Sequence, residues 1–214
     1  RIRAMNLLCS QIELFGGRMG SCCCSPLQLR QKADREIRNV FGRAPSALAS
    51  ELRALARRCE DLMIYQQEAD RDLARLAHEH DVCRRLMTIP GVGPICALTF
   101  YASVGEPHRF RKASDIGPYF GLTAKVHQSG LASRMGRISK MGHTATRALL
   151  VQASMCFMRC GSANDGLHTW VSQIEQRRGR KRARVALARK LATIMLAMWK
   201  NGGSYQPKFL EAGS

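Results

Sequence analysis

Carboxylates are scarce in this chain. Its 214 residues hold 16 Asp and Glu against 34 Lys and Arg, a formal net charge of +18, far from the balance of an ordinary soluble enzyme and suited to a polyanionic partner. The shortage deepens toward the C-terminus: from Ile116 to Ser214 three acids (Asp165, Glu175, Glu211) face sixteen basic residues. Long apolar runs are also lacking, so no segment reads as a membrane span, and no N-terminal stretch has the order of a secretion signal. The expectation is a soluble, cytoplasmic protein with no membrane partner. A regular cysteine framework is missing too. Nine Cys at irregular spacing, in a chain long enough to build a core, read as reduced thiols. The adjacent Cys22, Cys23 and Cys24 cannot all turn toward one metal. Cys156 and Cys160 share a helix face near His168 but lack a fourth ligand, so small buried side chains are expected there and no metal site. The chain opens at Arg1 directly in a helical pattern, which leads us to expect further sequence upstream.

What is present is mostly helical periodicity. Ile2, Met5, Leu8, Ile12 and Phe15 mark one helix, and the Gly- and Cys-rich stretch 16–25 breaks it. A second helix runs from Pro26 toward Phe41, and Ser46 is placed to cap a third. In that third helix Leu48, Leu52, Leu55, Cys59, Leu62, Gln66, Ala69, Leu73 and Leu76 alternate steps of four and three for about four heptads. The pattern suits a coiled coil that would make the protein a homo-oligomer, a dimer or a tetramer. An amphipathic helix packed within its own chain has the same signature. Helices are further expected over Thr144 to Cys160 and over Leu167 to Lys200, the latter interrupted at Gly179. Thr123 to Ser139 reads as polar, flexible, Gly-punctuated backbone. The fold class is mainly α: a helical coiled-coil linker over 1–83, then a compact helical domain over 84–214.

Two segments suit nucleic acid. In LMTIPGVGPICALTFYASV, from Leu86 to Val104, two apolar helical pieces flank Gly91, Val92 and Gly93 as in a helix-hairpin-helix. There, consecutive backbone N–H groups and a helix N-terminus hold phosphate without reading sequence. A plain helix corner with Gly and Pro at its caps is the alternative. The second segment is the run Arg177, Arg178, Arg180, Lys181, Arg182 and Arg184, followed by the apolar face of Val185, Leu187, Leu191, Ile194, Met195 and Met198. A basic cluster joined to a hydrophobic helix, in so cationic a half, favours phosphate contact over a merely solvated face.

The stretch with chemistry in it runs from Gly121 to Ser154 and contains QSGLASRMGRISKMGHTATRALL. It offers Ser129, Ser133 and Ser139 beside Arg134, Arg137, Lys140 and Arg147. A serine attacking phosphorus must lose its proton while cations meet the charge growing on the phosphate, so serine with arginines suits phosphoryl transfer. Acyl transfer is disfavoured, because no G-x-S-x-G elbow and no Ser, His, Asp order are found.

This stretch resembles the serine motif of the insertion-sequence one-ten family of transposases, in which Ser-Gly precedes a G-x-I-S-K-x-G segment and an Arg-bearing helix. RRLMTIPGVGPICALTFYASVGEPHRFRKASDIGPYFGLT is similar to the start of that family's C-terminal domain. RRGRKRARVALARKLATIMLAMWKNG resembles its terminal basic helix, and the heptad helix its coiled-coil linker. The resemblance implies a DNA recombinase with a divided active site. A RuvC-like N-terminal domain holds divalent metal (Mg) on an acidic tetrad, and a C-terminal serine forms a phosphoserine link with cut DNA, guided by a bridge RNA. It assigns the nucleophile to Ser129, flanked by Gly130, with Gly136, Ile138, Ser139, Lys140, Gly142 and Arg147 on matching motif positions. The tetrad has no counterpart in this sequence, so the metal is expected in an N-terminal domain and no cofactor in these residues. The chain departs from the pattern at Ala132 and Ser133, where relatives carry an acid. It also has His143 for Asn or Asp, and Thr146 for Leu. The competing reading is a non-catalytic helix-hairpin-helix module that holds nucleic acid.

Overall fold

A computed structural model describes residues 2–19, 25–42, 47–129, 132–160 and 165–207; for 126–129 and 132–135 it describes the backbone alone. These residues are mainly α-helical and form two compact units, 1–72 and 73–214. No helix among them is long and apolar enough to cross a membrane.

The first unit contains α1 (Ile2–Leu14), α2 (Pro26–Phe41) and most of α3 (Ala47–Glu79). The start of α2 is set by Ser25, whose hydroxyl accepts from Gln28 N–H while the Gln28 side chain accepts from Ser25 N–H, with Pro26 at the first helical position. Gly42 closes it at positive φ, its N–H donating to Arg38 O at 2.9 Å. Each helix buries one stripe: Met5, Leu8 and Ile12; Leu29, Ala33 and Ile37; Ala49, Leu52, Ala56, Cys59 and Met63. The three stripes make a single core, and Arg30 bridges to Glu60 at 3.2 Å. The expected heptad seam is only half used there. Leu52 and Cys59 are buried, but Leu48 and Leu62 are exposed, because the packed face of α3 turns toward the small residues Ala49 and Ala56.

The second unit begins within α3, where Ala77 joins its core. It continues through α4 (Asp81–Leu86), α5 (Pro94–Val104), 3-10 turns at Pro107–Arg109 and Ala113–Asp115, and α6 (Ile116–Tyr119). After the antiparallel strands β1 (Ala124–Ser129) and β2 (Ala132–Ile138) come α7 (Thr144–Cys160), α8 (Gly166–Arg178) and α9 (Arg180–Asn201). The helix break at Gly179 is as the sequence indicates; this residue has φ +80°. The expectation for Thr123 to Ser139 is corrected, since its backbone pairs as a hairpin. Helix α9 is the axis of the unit and packs on α4, α6, α7 and α8. It is buried nearly all round beyond its first turn, through Ala183, Leu187, Ala188, Leu191, Ala192, Met195 and Leu196. Phe100, Phe120 and Phe157 are the bulkiest fully buried side chains of this core, each worth about 1.5–3 kcal/mol of transfer free energy.

Beyond α9 the chain folds back. Arg85 Nη1 donates to Gly202 O at 2.8 Å, Tyr205 N–H to Thr88 Oγ1 at 2.9 Å, and Tyr205 OH to Asp165 Oδ2 at 2.7 Å. Asp165 is buried, and its other oxygen caps α8 by accepting from Leu167 N–H at 2.9 Å. The C-terminal segment thus ties the end of α9 to the start of α8 and to the turn after α4. Burial and the neighbouring Asp165 push the Tyr205 phenol well above its ordinary range.

Candidate functional site

Ser129 is the last residue of β1, paired with Ala132 at the closed end of the hairpin, and Gly130 lies outside the described residues. Ala124, at the root, pairs with Ile138. Five strand steps separate Ala124 from Ser129, a reach of roughly 17 Å. His127 pairs with Arg134, and strand alternation places the His127, Arg134 and Ser129 positions on one face of the ladder. His127 has no part in the serine motif, and only the register brings it into view.

The root is held by backbone. Ser139 N–H donates to Thr123 O at 2.8 Å and Lys140 N–H to Gly121 O at 3.2 Å. Gly121 and Gly142 have positive φ, and a Cβ on Gly142 would overlap the Tyr119 carbonyl oxygen. The segments 119–122 and 139–143 therefore meet main chain to main chain, and Gly121 and the motif's Gly142 are needed at this crossing. Ser139 Oγ accepts from Met141 N–H at 3.4 Å, a turn contact. Gly136, Arg137 and Lys140 are exposed.

Arg147 is placed differently from a free phosphate ligand. It is half-buried, with Nη1 donating to Phe120 O at 3.1 Å and Nη2 to Thr144 Oγ1 at 3.2 Å. The guanidinium thus joins the first turn of α7 to the segment from which the hairpin departs. Lys140 and Arg147 belong to this root and Ser129 to the tip, so the fold separates residues that the motif sets close in sequence.

Two positions where the chain departs from the serine motif meet at the start of α7. Thr146 is buried, its hydroxyl 2.9 Å from His143 Nδ1 and 2.6 Å from Ser103 Oγ; His143 Nδ1 is 3.4 Å from the same Ser103 Oγ. A hydroxyl in a buried site needs partners, and His143 and Ser103 supply them. His143 and Ser103 also edge an open depression with Leu98, Thr99 and Ala102.

In the turn between α4 and α5, Gly91 has φ +84°, and a Cβ there would sit 2.7 Å from Ala153 O and 2.8 Å from Phe157 N. This glycine lets the turn press on the backbone of α7. Val92 is buried. Gly93 caps α5 with φ −93° and has no atom within 4 Å of a would-be Cβ, so the open side of the turn is at Gly93.

Arg177, Arg178, Arg180, Lys181 and Arg182 are all exposed around the α8–α9 corner, with Arg184 half-buried. Glu175 lies 3.7 Å from Arg180, and the first turn of α9 contains no acid. Cations at a helix N-terminus oppose its dipole, by about 0.3–1 kcal/mol each. Only Arg180, Lys181 and Arg182 meet this opposition, since Arg177 and Arg178 lie in the last turn of α8, where the dipole favours cations.

Among the described residues no three His, Cys, Asp or Glu converge. Burial pushes the Cys96 thiol up to about 12 and raises Cys83 as well, which makes both poor ligands and poor nucleophiles.

Residues 83–169, from α4 into α8, match the family model described as "Transposase IS116/IS110/IS902 family". A transposase for insertion sequence element IS1111A of Coxiella burnetii is 32% identical over 184 residues, 80% of this chain and 50% of the relative. A probable family 20 transposase of Pseudomonas aeruginosa is 29% identical over 214 residues, 96% of this chain and 62% of the relative. The pilin gene-inverting protein of Moraxella bovis is 27% identical over 131 residues, 59% of this chain and 39% of the relative. The chain spans about half the length of the curated relatives it matches. With the turn, the hairpin and its root all inside the matched segment, and with relatives aligning beyond it, the chain belongs to the IS116/IS110/IS902 family of transposases.

Proposed function

We propose that this chain is the C-terminal part of a transposase that binds DNA and, in the complete protein, supplies Ser129 as the nucleophile of strand cleavage and joining. The Ser129 oxygen attacks a backbone phosphorus. One Oγ–P bond forms, one P–O ester bond breaks, and the serine proton passes to the released strand hydroxyl. The observation that carries the reading is the position of Ser129 at the closed end of a hairpin, roughly 17 Å from its root. A nucleophile at a tip suits a divided site, in which the other half comes from elsewhere in the complete protein. A divalent metal on an acidic tetrad there would supply charge neutralisation. The basic α8–α9 corner and the Gly93 side of the turn hold phosphate, a bridge RNA directs the choice of DNA, and the exposed Leu48 and Leu62 on α3 favour a homo-oligomer.

The test uses the complete protein with its DNA ends and RNA. A protease-sensitive protein–DNA link that survives denaturant is expected, and Ser129→Ala should abolish both the link and recombination while binding survives. Recombination by Ser129→Ala at the normal rate refutes the nucleophile assignment. A second reading, a nucleic-acid-holding module without chemistry, draws on the distance of Lys140 and Arg147 from the hairpin tip. It predicts salt-steep, sequence-indifferent binding and no covalent adduct.

A further inference from the structure

The segment HRFRK, residues 108–112, lies outside the serine motif, the turn and the basic corner. His108, Arg109, Arg111 and Lys112 are exposed, and Phe110 anchors the segment in the core. The Arg109 guanidinium carbon lies 4.7 Å from the ring centroid of Tyr119 and 4.8 Å from that of Phe110. These rings meet edge to face, 5.3 Å apart at 75°. Tyr119 is fixed in turn, its OH donating to Ser103 O at 2.9 Å. One arginine is thus laid against two rings and still faces solvent.

The nearby carboxylates are engaged by backbone. Asp115 accepts from Lys112 N–H at 2.9 Å and Glu106 from His108 N–H at 3.1 Å. Arg189 of α9 adds an exposed cation beside Gly117, within 3.0 Å of where a Cβ would stand. The patch also adjoins the hairpin root, because the carbonyl of Tyr119 is the group that Gly142 crosses.

A planar cation held on aromatic faces, ringed by further cations, fits an unpaired base stacked on the plane with its phosphates outside. A duplex offers no free base face to such a platform. We propose that Arg109, backed by Tyr119 and Phe110, is a stacking platform for single-stranded nucleic acid, with Arg111, Lys112 and Arg189 contacting the flanking phosphates. The proposal rests on the reading of the chain as a nucleic-acid-handling protein and is independent of the chemistry at Ser129.

The test uses the full 214-residue chain and a short single-stranded oligonucleotide carrying the fluorescent base 2-aminopurine. Binding should quench the base. Arg109→Lys keeps the charge and removes the plane, so the quench should be lost and affinity should fall about tenfold. The salt dependence should stay unchanged, and so should duplex binding. An oligonucleotide abasic at the stacked position should bind the parent and Arg109→Lys alike. The double variant Arg111→Ser, Lys112→Ser should instead lower the slope of log affinity against log salt by roughly 1.4, two phosphates' worth. Circular dichroism melts confirm that each variant is folded, and Tyr119→Phe, which keeps the ring, should retain the quench. Unchanged quench and affinity in folded Arg109→Lys, or an equal loss on duplex, overturns the platform. Ser129→Ala separates the two ideas: it should leave this binding intact, whatever its effect on covalent chemistry.

Discussion

Gly91 offers the sharpest distinction between a phosphate cradle and a packing contact. Placing a methyl group there sets Cβ 2.7 Å from Ala153 O and 2.8 Å from Phe157 N, both main-chain atoms of α7 that cannot swing aside, at a residue whose φ is +84°. Left-handed backbone costs an ordinary residue about 1–2 kcal/mol, and overpacking a close contact costs about 1–3 kcal/mol. Gly91→Ala should therefore lose about 3 kcal/mol, a fall in melting temperature of roughly 10 °C for a unit of this size. Gly93→Ala has φ −93° and open space around the new atom, so its melting temperature should stay within about 2 °C of the parent, while its affinity for DNA falls. Thermal melts by circular dichroism, paired with DNA titrations at one salt concentration, read both quantities. If Gly91→Ala melts with the parent and loses only DNA affinity, the reasoning fails.

Two further perturbations separate structural from binding roles. Arg147→Lys should lose about 1–2 kcal/mol of stability through its two hydrogen bonds and speed amide exchange at Ser139 and Lys140. In Arg147→Gln, which also removes the charge, the salt slope of DNA binding should not change; a slope lowered by about 0.9 would identify Arg147 as a phosphate ligand instead. Tyr205→Phe should cost about 1–3 kcal/mol at neutral pH by taking a partner from buried Asp165. The folded phenol titrates above its ordinary value of 10, so its contribution is complete below about pH 10 and is lost as pH rises further. Denaturant titrations should show the gap between parent and variant constant up to about pH 9 and shrinking beyond it. A gap that widens with pH contradicts the assigned contact.

The longer helices were legible because they carry an apolar stripe at helical spacing, and some a recognisable end: Pro26 at one start, Gly179 at one break. Which neighbour covers a stripe is not written in the stripe. That is why α3 buries Ala49 and Ala56 where a symmetric leucine seam was equally consistent with the spacing. The hairpin escaped notice because residues 124–138 lack a run of β-branched side chains, and its strands are defined by their pairing. Within the candidate site, Ser129 stands out in the sequence only through the residues around it. The roles of Arg147 and Gly91 depend on carbonyls and helices distant in sequence. Thr146 and His143 looked like two separate departures from a pattern, and in space they are partners.

The central position of α9 has a consequence for synthesis. Helices α4 to α7 emerge from the ribosome before the helix they pack against, and a nascent chain that has not reached Arg180 lacks the apolar surface that α9 contributes to the unit's core. The core of this unit therefore stays incomplete until α9 has been made, and the Tyr205–Asp165 hydrogen bond joins residues on either side of it. A chain cut before α9 would lack the apolar surface that completes the core of the unit from which the hairpin departs.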